Sequence, residues 1–321
     1  MSSAVSAREA GSGQRFTWKK ARQILGFLYV LPTLVYVTFF FFLPLALVGW
    51  MSLHECDLLT CTVPNPGPVN LPDNFASISD NDLFWPAVWF TLLYTVLVTV
   101  LLVGIGLGLA LLVQTGGRWV GALRTSFLIP GALGLATASL LYWGLYSGAI
   151  GPFNPIMDGI NSLGRQLGMV SQESQVSFLG SPNTALLSTT ALIVWKYAGL
   201  YMIILLVGLQ AIPRDVFEAA AIDGASRWQT FRSITLPLLR PSLALAMILC
   251  VTGSLLAFDQ FFILTKGGPD NSTVTVVQLI YREAFTRQNL GTAAAVSIIV
   301  LVVLLVLNTL QFRGLNRSAE D

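Results

Sequence analysis

Residues 210–237 read QAIPRDVFEAAAIDGASRWQTFRSITLP, a charged stretch between two long apolar runs. Pro213 suits the first turn of a helix, where its missing N–H would lack a partner in any case. Asp215 and Glu218 then lie towards the positive N-terminal end of that helix. Gly224 can take the left-handed conformation that ends it. Ser226 next offers an N-cap oxygen, and Gln229 three residues on completes a capping box for a second helix. That helix is expected to run to about Thr235 and to stop before Pro237. Two short helices, joined at an angle through glycine, are predicted here.

Membrane-type sequence lies on both sides of them. The 321 residues are 54% hydrophobic and 11% charged, whereas a soluble domain carries about 25% charged residues. Six apolar runs can be read, at 24–50, 85–114, 125–147, 184–210, 237–264 and 291–310. At about 1.5 Å rise per residue each can cross a hydrocarbon core of roughly 30 Å. The expectation is an all-α membrane protein of six transmembrane helices. Residues 1–23 and 311–321 form tails, 24–310 the membrane domain, and 211–237 a loop between helices four and five.

Lysine and arginine set the orientation. With both termini inside, the inner segments hold Arg8, Arg15, Lys19, Lys20, Arg22, Arg118, Arg124, Arg214, Arg227, Arg232, Arg240, Arg313 and Arg317. The outer segments hold only Arg165, Lys266, Arg282 and Arg287. This positive-inside bias predicts cytoplasmic termini and a cytoplasmic 211–237 loop. The first apolar run is too long for a signal peptide and no small-x-small cleavage site follows it, so it is expected to be a retained helix.

The outer loops are then 51–84, 148–183 and 265–290. The first is rich in turn formers (Pro64, Asn65, Pro66, Gly67, Pro68) and reads as an irregular cap. Residues 274–287 carry apolar side chains at helical spacing and are expected to lie along the outer membrane surface. Cys56 and Cys61 share the oxidising side, so they form either a local disulfide or two free thiols. Cys250 reads as a small packing residue. Gly104, Gly106 and Gly108 follow no strand and lie at membrane depth, so they read as helix packing, through small residues four apart, and not as a nucleotide fingerprint.

For the 210–237 stretch three readings compete. A DNA-binding helix-turn-helix has a similar outline, but membrane helices adjoin it on both sides and acids interrupt its basic residues, so no nucleic acid is expected. A structural elbow is the plain reading. The third is a docking element: Ala219, Ala220 and Ala221 would make one face small, and Glu218 would supply a charge.

The string Glu218-Ala219-Ala220, Gly224, Ile234, Leu236-Pro237 resembles the EAA signature of permeases in binding-protein-dependent ABC importers. Asp73-Asn74-Phe75, Gly199 with Leu209-Gln210, Ala257-Phe258-Asp259 and Leu264-Thr265-Lys266-Gly267-Gly268-Pro269 with Thr273 resemble the carbohydrate branch, on its MalF-like side. The resemblance spans about residues 24–313. It implies a type I importer permease fold in the bacterial inner membrane, moving a sugar or sugar-like solute inward. It also implies a MalG-like second permease, an ABC ATPase dimer and an extracytoplasmic solute-binding protein as partners. This chain would bind no cofactor; ATP and magnesium would sit in the ATPase. Glu218, Ala219, Ala220, Asp223, Gly224, Ile234, Leu236 and Pro237 would form the coupling loop. Some relatives carry a large folded insertion in an outer loop; this chain has none, so any binding-protein contact would use its shorter loops.

Lys196 falls near the middle of the fourth run, where a lysine costs roughly 2.5–3.5 kcal/mol to insert. It either lines the solute path, makes a structural pair or snorkels outward, and Asp259 is its expected partner. Trp195, Tyr197, Phe258 and Gln260, with Lys196 and Asp259, are the path candidates, since sugars are bound through polar groups and aromatic faces. Enzyme chemistry finds no support. His54 is the one histidine, so a multi-histidine metal site and H-E-x-x-H are excluded, and no G-x-S-x-G or Walker phosphate loop occurs. The alternative is an ion-coupled secondary transporter, against which stand the missing inverted repeat and the docking loop.

Overall fold

The computed structural model describes residues 25–57, 61, 67–114, 117–148, 151–153, 155–156, 158–159 and 178–320. The basic tail at 1–23, Pro64 to Pro66 and Arg165 lie outside the described residues. Helices α1 (Leu25–Met51), α3 (Phe84–Val113), α6 (Pro182–Gln210) and α12 (Leu290–Glu320) are long and apolar enough to cross a membrane, the last through Gly314. Between them lie α2 (Leu71–Ser79), α4 (Arg118–Leu128), α5 (Leu135–Tyr146), α7 (Arg214–Ile222), α8 (Arg227–Leu238), α9 (Arg240–Leu255), α10 (Asp259–Leu264) and α11 (Val276–Tyr281). Among the described residues the only β pairing is two isolated bridges, His54 with Val69 and Asp57 with Asn289.

Two of the six expected runs are not straight helices. The third bends by 95° between α4, extended by a 3₁₀ turn at Ile129–Ala132, and α5. The fifth ends at Leu255, breaks over residues 256–258 and resumes as α10, and it meets α8 at 65°. Proline explains part of this. Pro130 sits in the 3₁₀ turn, and Pro237 and Pro241 flank the α8–α9 bend; a proline removes a helix hydrogen bond and its ring presses on the carbonyl four residues back.

Pro237 does not stop α8 where the sequence reading ended it. A π turn at Phe231–Thr235 precedes it, with the Leu236 N–H reaching Phe231 O, and the helix continues to Leu238. Pro44 in α1 is accommodated the same way, by a π turn at Thr38–Phe42 closed by Leu43 N–H on Thr38 O. The wider turn moves the carbonyl away from the ring.

The core forms where α3, α6 and α9 pack, with α10 against α5 beside them. Phe261 is fully buried and stands edge-to-face with Phe90 and Tyr94, at 5.1 and 4.9 Å between centroids, a favoured aromatic arrangement. Of the three glycines of α3, only Gly106 meets a neighbour: a Cβ there would lie 2.9 Å from Tyr201 Cβ, while Gly104 and Gly108 face nothing within 4 Å. The expected pair four residues apart is thus replaced by one close approach.

A second core joins α2, α3, α11 and the start of α12 through Ile78, Phe84, Val274, Leu279 and Val296. The segment expected on the outer membrane surface instead buries one face within the protein: Val274 and Leu279 are each 1% exposed, while residues 285–287 are exposed. Helical spacing is equally consistent with either partner. In the first loop, Asn74 donates from Nδ2 to Ser52 O and His54 O at 3.0 and 2.8 Å, pinning α2 to the end of α1. Cys56 and Cys61 are joined as a disulfide, and Cys56 O accepts from Gly291 N at 3.0 Å. The start of this loop is thus tied to the start of α12.

Candidate functional site

The α7–α8 elbow is built from local hydrogen bonds. Ala225 N donates to Ala220 O at 3.0 Å and Gly224 N to Ala221 O at 3.2 Å, the paired bonds of a Schellman turn. Gly224 sits at φ +73° in the left-handed region this turn requires. Ser226 Oγ accepts from Gln229 N at 3.3 Å while Gln229 Oε1 accepts from Ser226 N at 2.8 Å, the expected capping box. Pro213 is the N-cap of α7, one position earlier than read from sequence.

The elbow's alanines do not share a face. Consecutive residues are 100° apart on a helix; Ala220 is buried, and Ala219 and Ala221 are exposed with Glu218, Asp223 and Gly224. Ile234, Leu236 and Pro237 are half-buried on α8. Ile222 and Trp228, 85% and 66% exposed, are the bare apolar surface of the elbow. The sequence reading passed over both, since the stretch holds other apolar side chains and nothing in the sequence marks these two as exposed.

The elbow connects the two helices that wall a cavity. About 480 Å³ in volume, the cavity is lined by Ile193, Tyr197 and Tyr201 from α6, by Leu249, Cys250 and Ser254 from α9, by Tyr94 and Val98 from α3, and by Phe258, Asp259 and Gln260 at the break before α10. Gln260 is buried; its Nε2 donates to Tyr94 Oη at 3.1 Å, and its Oε1 has no partner. Of the expected path residues, Tyr197, Phe258, Asp259 and Gln260 come together here. Tyr94 and Tyr201 were missed because an aromatic on an apolar helix reads as packing, and Cys250 faces the cavity as well as the core.

Trp195 and Lys196 fall outside this lining. Trp195 packs on Tyr142, centroids 5.3 Å apart. Lys196 is buried and does not pair with Asp259: its Nζ donates to Leu133 O and, at 3.4 Å, to Gly131 O. These carbonyls belong to the 95° break between α4 and α5. The ammonium thus occupies backbone acceptors that the broken helix leaves open, which is how non-helical backbone is tolerated at membrane depth.

The second break is held from the next loop. Thr275 Oγ1 donates to Ala257 O at 2.7 Å and accepts from Gln278 N at 3.2 Å, capping α11 while closing the gap before α10. Thr265 to Thr273 fold into a knot: Thr273 Oγ1 donates to Gly268 O at 2.7 Å and contacts Thr265 Oγ1 at 2.8 Å, and Lys266 and Gly267 take positive φ of 52° and 87°. Thr275→Val keeps the shape of the side chain but leaves a buried carbonyl and a buried N–H unpaired. A loss of about 1–3 kcal/mol is expected, read as a lower melting temperature in detergent, with Thr275→Ser retaining the wild-type value. A Thr275→Val melting point equal to wild type would remove Thr275 from this role.

Residues 10–313 match the family described as the binding-protein-dependent transport system inner membrane component. The chain belongs to this family. The trehalose/maltose transport system permease protein MalF of Thermococcus litoralis is 35% identical over 88% of this chain and 90% of its own length. The multiple sugar-binding transport system permease protein MsmF of Streptococcus mutans is 31% identical over 88% and 92%. A bacterial ABC transporter solved for import of the acidic polysaccharide alginate contains a chain of the same fold, with TM-score 0.75 and 23% identity, covering 94% of this chain and 98% of its own. The permease is thus a multi-pass helical membrane protein of the type I importer fold.

Proposed function

We propose that this permease is the MalF-like subunit of an ATP-driven importer that carries a sugar or sugar-like solute inward across the bacterial inner membrane. Its six spans take α4 with α5 as one bent span and α9 with α10 as another, with both termini and the α7–α8 elbow cytoplasmic. The tails are 1–23 and 311–321, flanking a membrane domain of 24–310, although α12 continues helically through Glu320. A MalG-like permease completes the pathway, a solute-binding protein delivers the sugar to the outer loops, and an ABC ATPase dimer docks on the elbow. ATP and magnesium are held by that ATPase; this chain holds no cofactor and is not itself an enzyme. The sugar class is supported by the relatives' substrates.

One observation carries the reading. The elbow joins α6 through residues 211–213 and α9 through Leu239, and both helices wall the cavity. A push on Glu218, Ala219 and the bare Ile222 and Trp228 therefore reaches the solute path through short connections. ATPase closure biases the two helices between inward-open and outward-open arrangements, a two-state change driven by contacts that differ between the states. The cavity's tyrosines, with Asp259 and Gln260, offer the aromatic faces and hydrogen-bond acceptors that a polyhydroxylated ring needs.

Reconstitution of the four components in proteoliposomes tests this. Sugar uptake is expected only with internal ATP and external loaded binding protein, and it should persist when an ionophore collapses ion gradients. Uptake by this chain alone, or uptake abolished by the ionophore with ATP present, would overturn the reading.

A further inference from the structure

We infer that Phe285, Tyr281, Phe262 and Phe258 form a stacking track along which a sugar ring reaches the cavity; this rests on the import reading above. The four rings are continuous. Phe285 and Tyr281 have centroids 5.1 Å apart, Tyr281 and Phe262 5.1 Å, and Phe262 and Phe258 5.0 Å with planes 20° apart. Phe285 is 61% and Phe262 37% exposed, while Tyr281 and Phe258 are half-buried and Phe258 lines the cavity. The track therefore starts on the π turn following α11 and ends on the break before α10.

Polar groups line the cavity at its inner end. Asp259 lines the cavity directly after Phe258, and Gln260, 3% exposed, holds an Oε1 there without a partner. A buried acceptor left unpaired is unfavourable unless a ligand hydroxyl fills it at some stage. A pyranose matches this arrangement, since its C–H face stacks on an aromatic ring while its hydroxyl rim donates to a carboxylate or an amide oxygen. An exposed aromatic off the track differs. Trp85 on α3 borders a groove with Phe84, Val88, Val300 and Val303 whose lining has no charged or amide group, as suits a lipid-facing belt. Arg282, which follows Tyr281, is turned away from the rings: its guanidinium donates to Asn271 Oδ1 at 2.7 Å and Lys266 O at 2.9 Å.

The test uses the complete reconstituted importer with its binding protein. The probe is whichever radiolabelled pyranose mono- or disaccharide the wild type takes up most rapidly from a panel. Phe262→Ala and Phe285→Ala are each expected to lower uptake at saturating loaded binding protein about two- to tenfold, from the loss of one stacking contact. Phe285→Trp, which keeps a ring, and Trp85→Ala, off the track, should import at the wild-type rate. Copurification of the second permease and ATPase stimulation by loaded binding protein should be unchanged in all four variants. Wild-type uptake by Phe262→Ala and Phe285→Ala would overturn the track. So would a loss that parallels loss of the second permease from the complex, which would make the ladder a subunit contact. A wild-type importer that takes up no sugar on the panel would instead overturn the import reading.

Discussion

Gly199→Ala is expected to lower the amount of folded permease in membranes severalfold and to depress its melting temperature. A Cβ at this position would collide with the Phe127 carbonyl oxygen and stand 2.5 Å from its carbon and 3.0 Å from Leu128 N. These are backbone atoms, so no rotamer change relieves the clash and α4 itself must move. Overpacking of this kind costs about 1–3 kcal/mol. Here the cost is compounded, because Lys196 one turn earlier on α6 is bonded to Gly131 O and Leu133 O just beyond α4. Displacing α4 strips a buried ammonium of its acceptors, an added loss of several kcal/mol. Gly104→Ala is the matched control: it adds a methyl to an α3 site with nothing within 4 Å, and it should be neutral or slightly stabilising because alanine is the better helix former. Equal yield and melting temperature for the two variants would refute the close approach at Gly199.

The long elements were legible because length and apolarity suffice for them. The runs at 24–50, 85–114 and 184–210 became α1, α3 and α6 with small shifts, and the run at 291–310 became α12, which continues to Glu320. Breaks within the other two were not legible, because their cause is tertiary. Pro130 could be seen, but the acceptors that Lys196 occupies after it come from a different helix. The gap before α10 depends on Thr275, 18 residues beyond the Ala257 carbonyl it closes. Residues 274–287 were misplaced for a related reason: an amphipathic pattern states that one face is covered, and the cover proved to be α3 and α12 where the bilayer surface was expected.

Local hydrogen bonding was read more fully than packing. The Gly224 turn and the Ser226–Gln229 capping box were both predictable, since each is closed by residues within a few positions of each other. Lys196 shows the opposite limit. Its burial was foreseeable but its partner was not: a carboxylate was the obvious counter-charge, and backbone carbonyls released by a helix break leave no signature in sequence. The same holds for Tyr94, whose role beside Gln260 depends on α3 and α10 meeting.

Glu218→Lys and Gly224→Val are both expected to abolish most uptake while leaving the chain in the membrane at wild-type levels. Both residues are exposed and on no membrane span, so insertion and core packing are untouched. At Gly224 a new Cβ would meet nothing within 4 Å; the damage comes from φ +73° alone. A left-handed residue with a β carbon costs about 1–2 kcal/mol, and β-branching adds to it, which at 1.36 kcal/mol per tenfold corresponds to about a tenfold loss where the elbow must hold its angle to transmit force. Gly224→Asn should recover much of the activity, because asparagine tolerates this conformation. That rescue separates a conformational requirement from a simple need for a small residue. Glu218→Lys acts differently: in the proposed assembly it reverses the charge that Glu218 would offer to a basic surface of the ATPase, and like charges brought together at an interface cost several kcal/mol. Its signature is loss of copurified ATPase, whereas Gly224→Val should retain the ATPase and lose the link between hydrolysis and uptake. If both variants kept full uptake and a normal complex, α7 and α8 would be an elbow and nothing more.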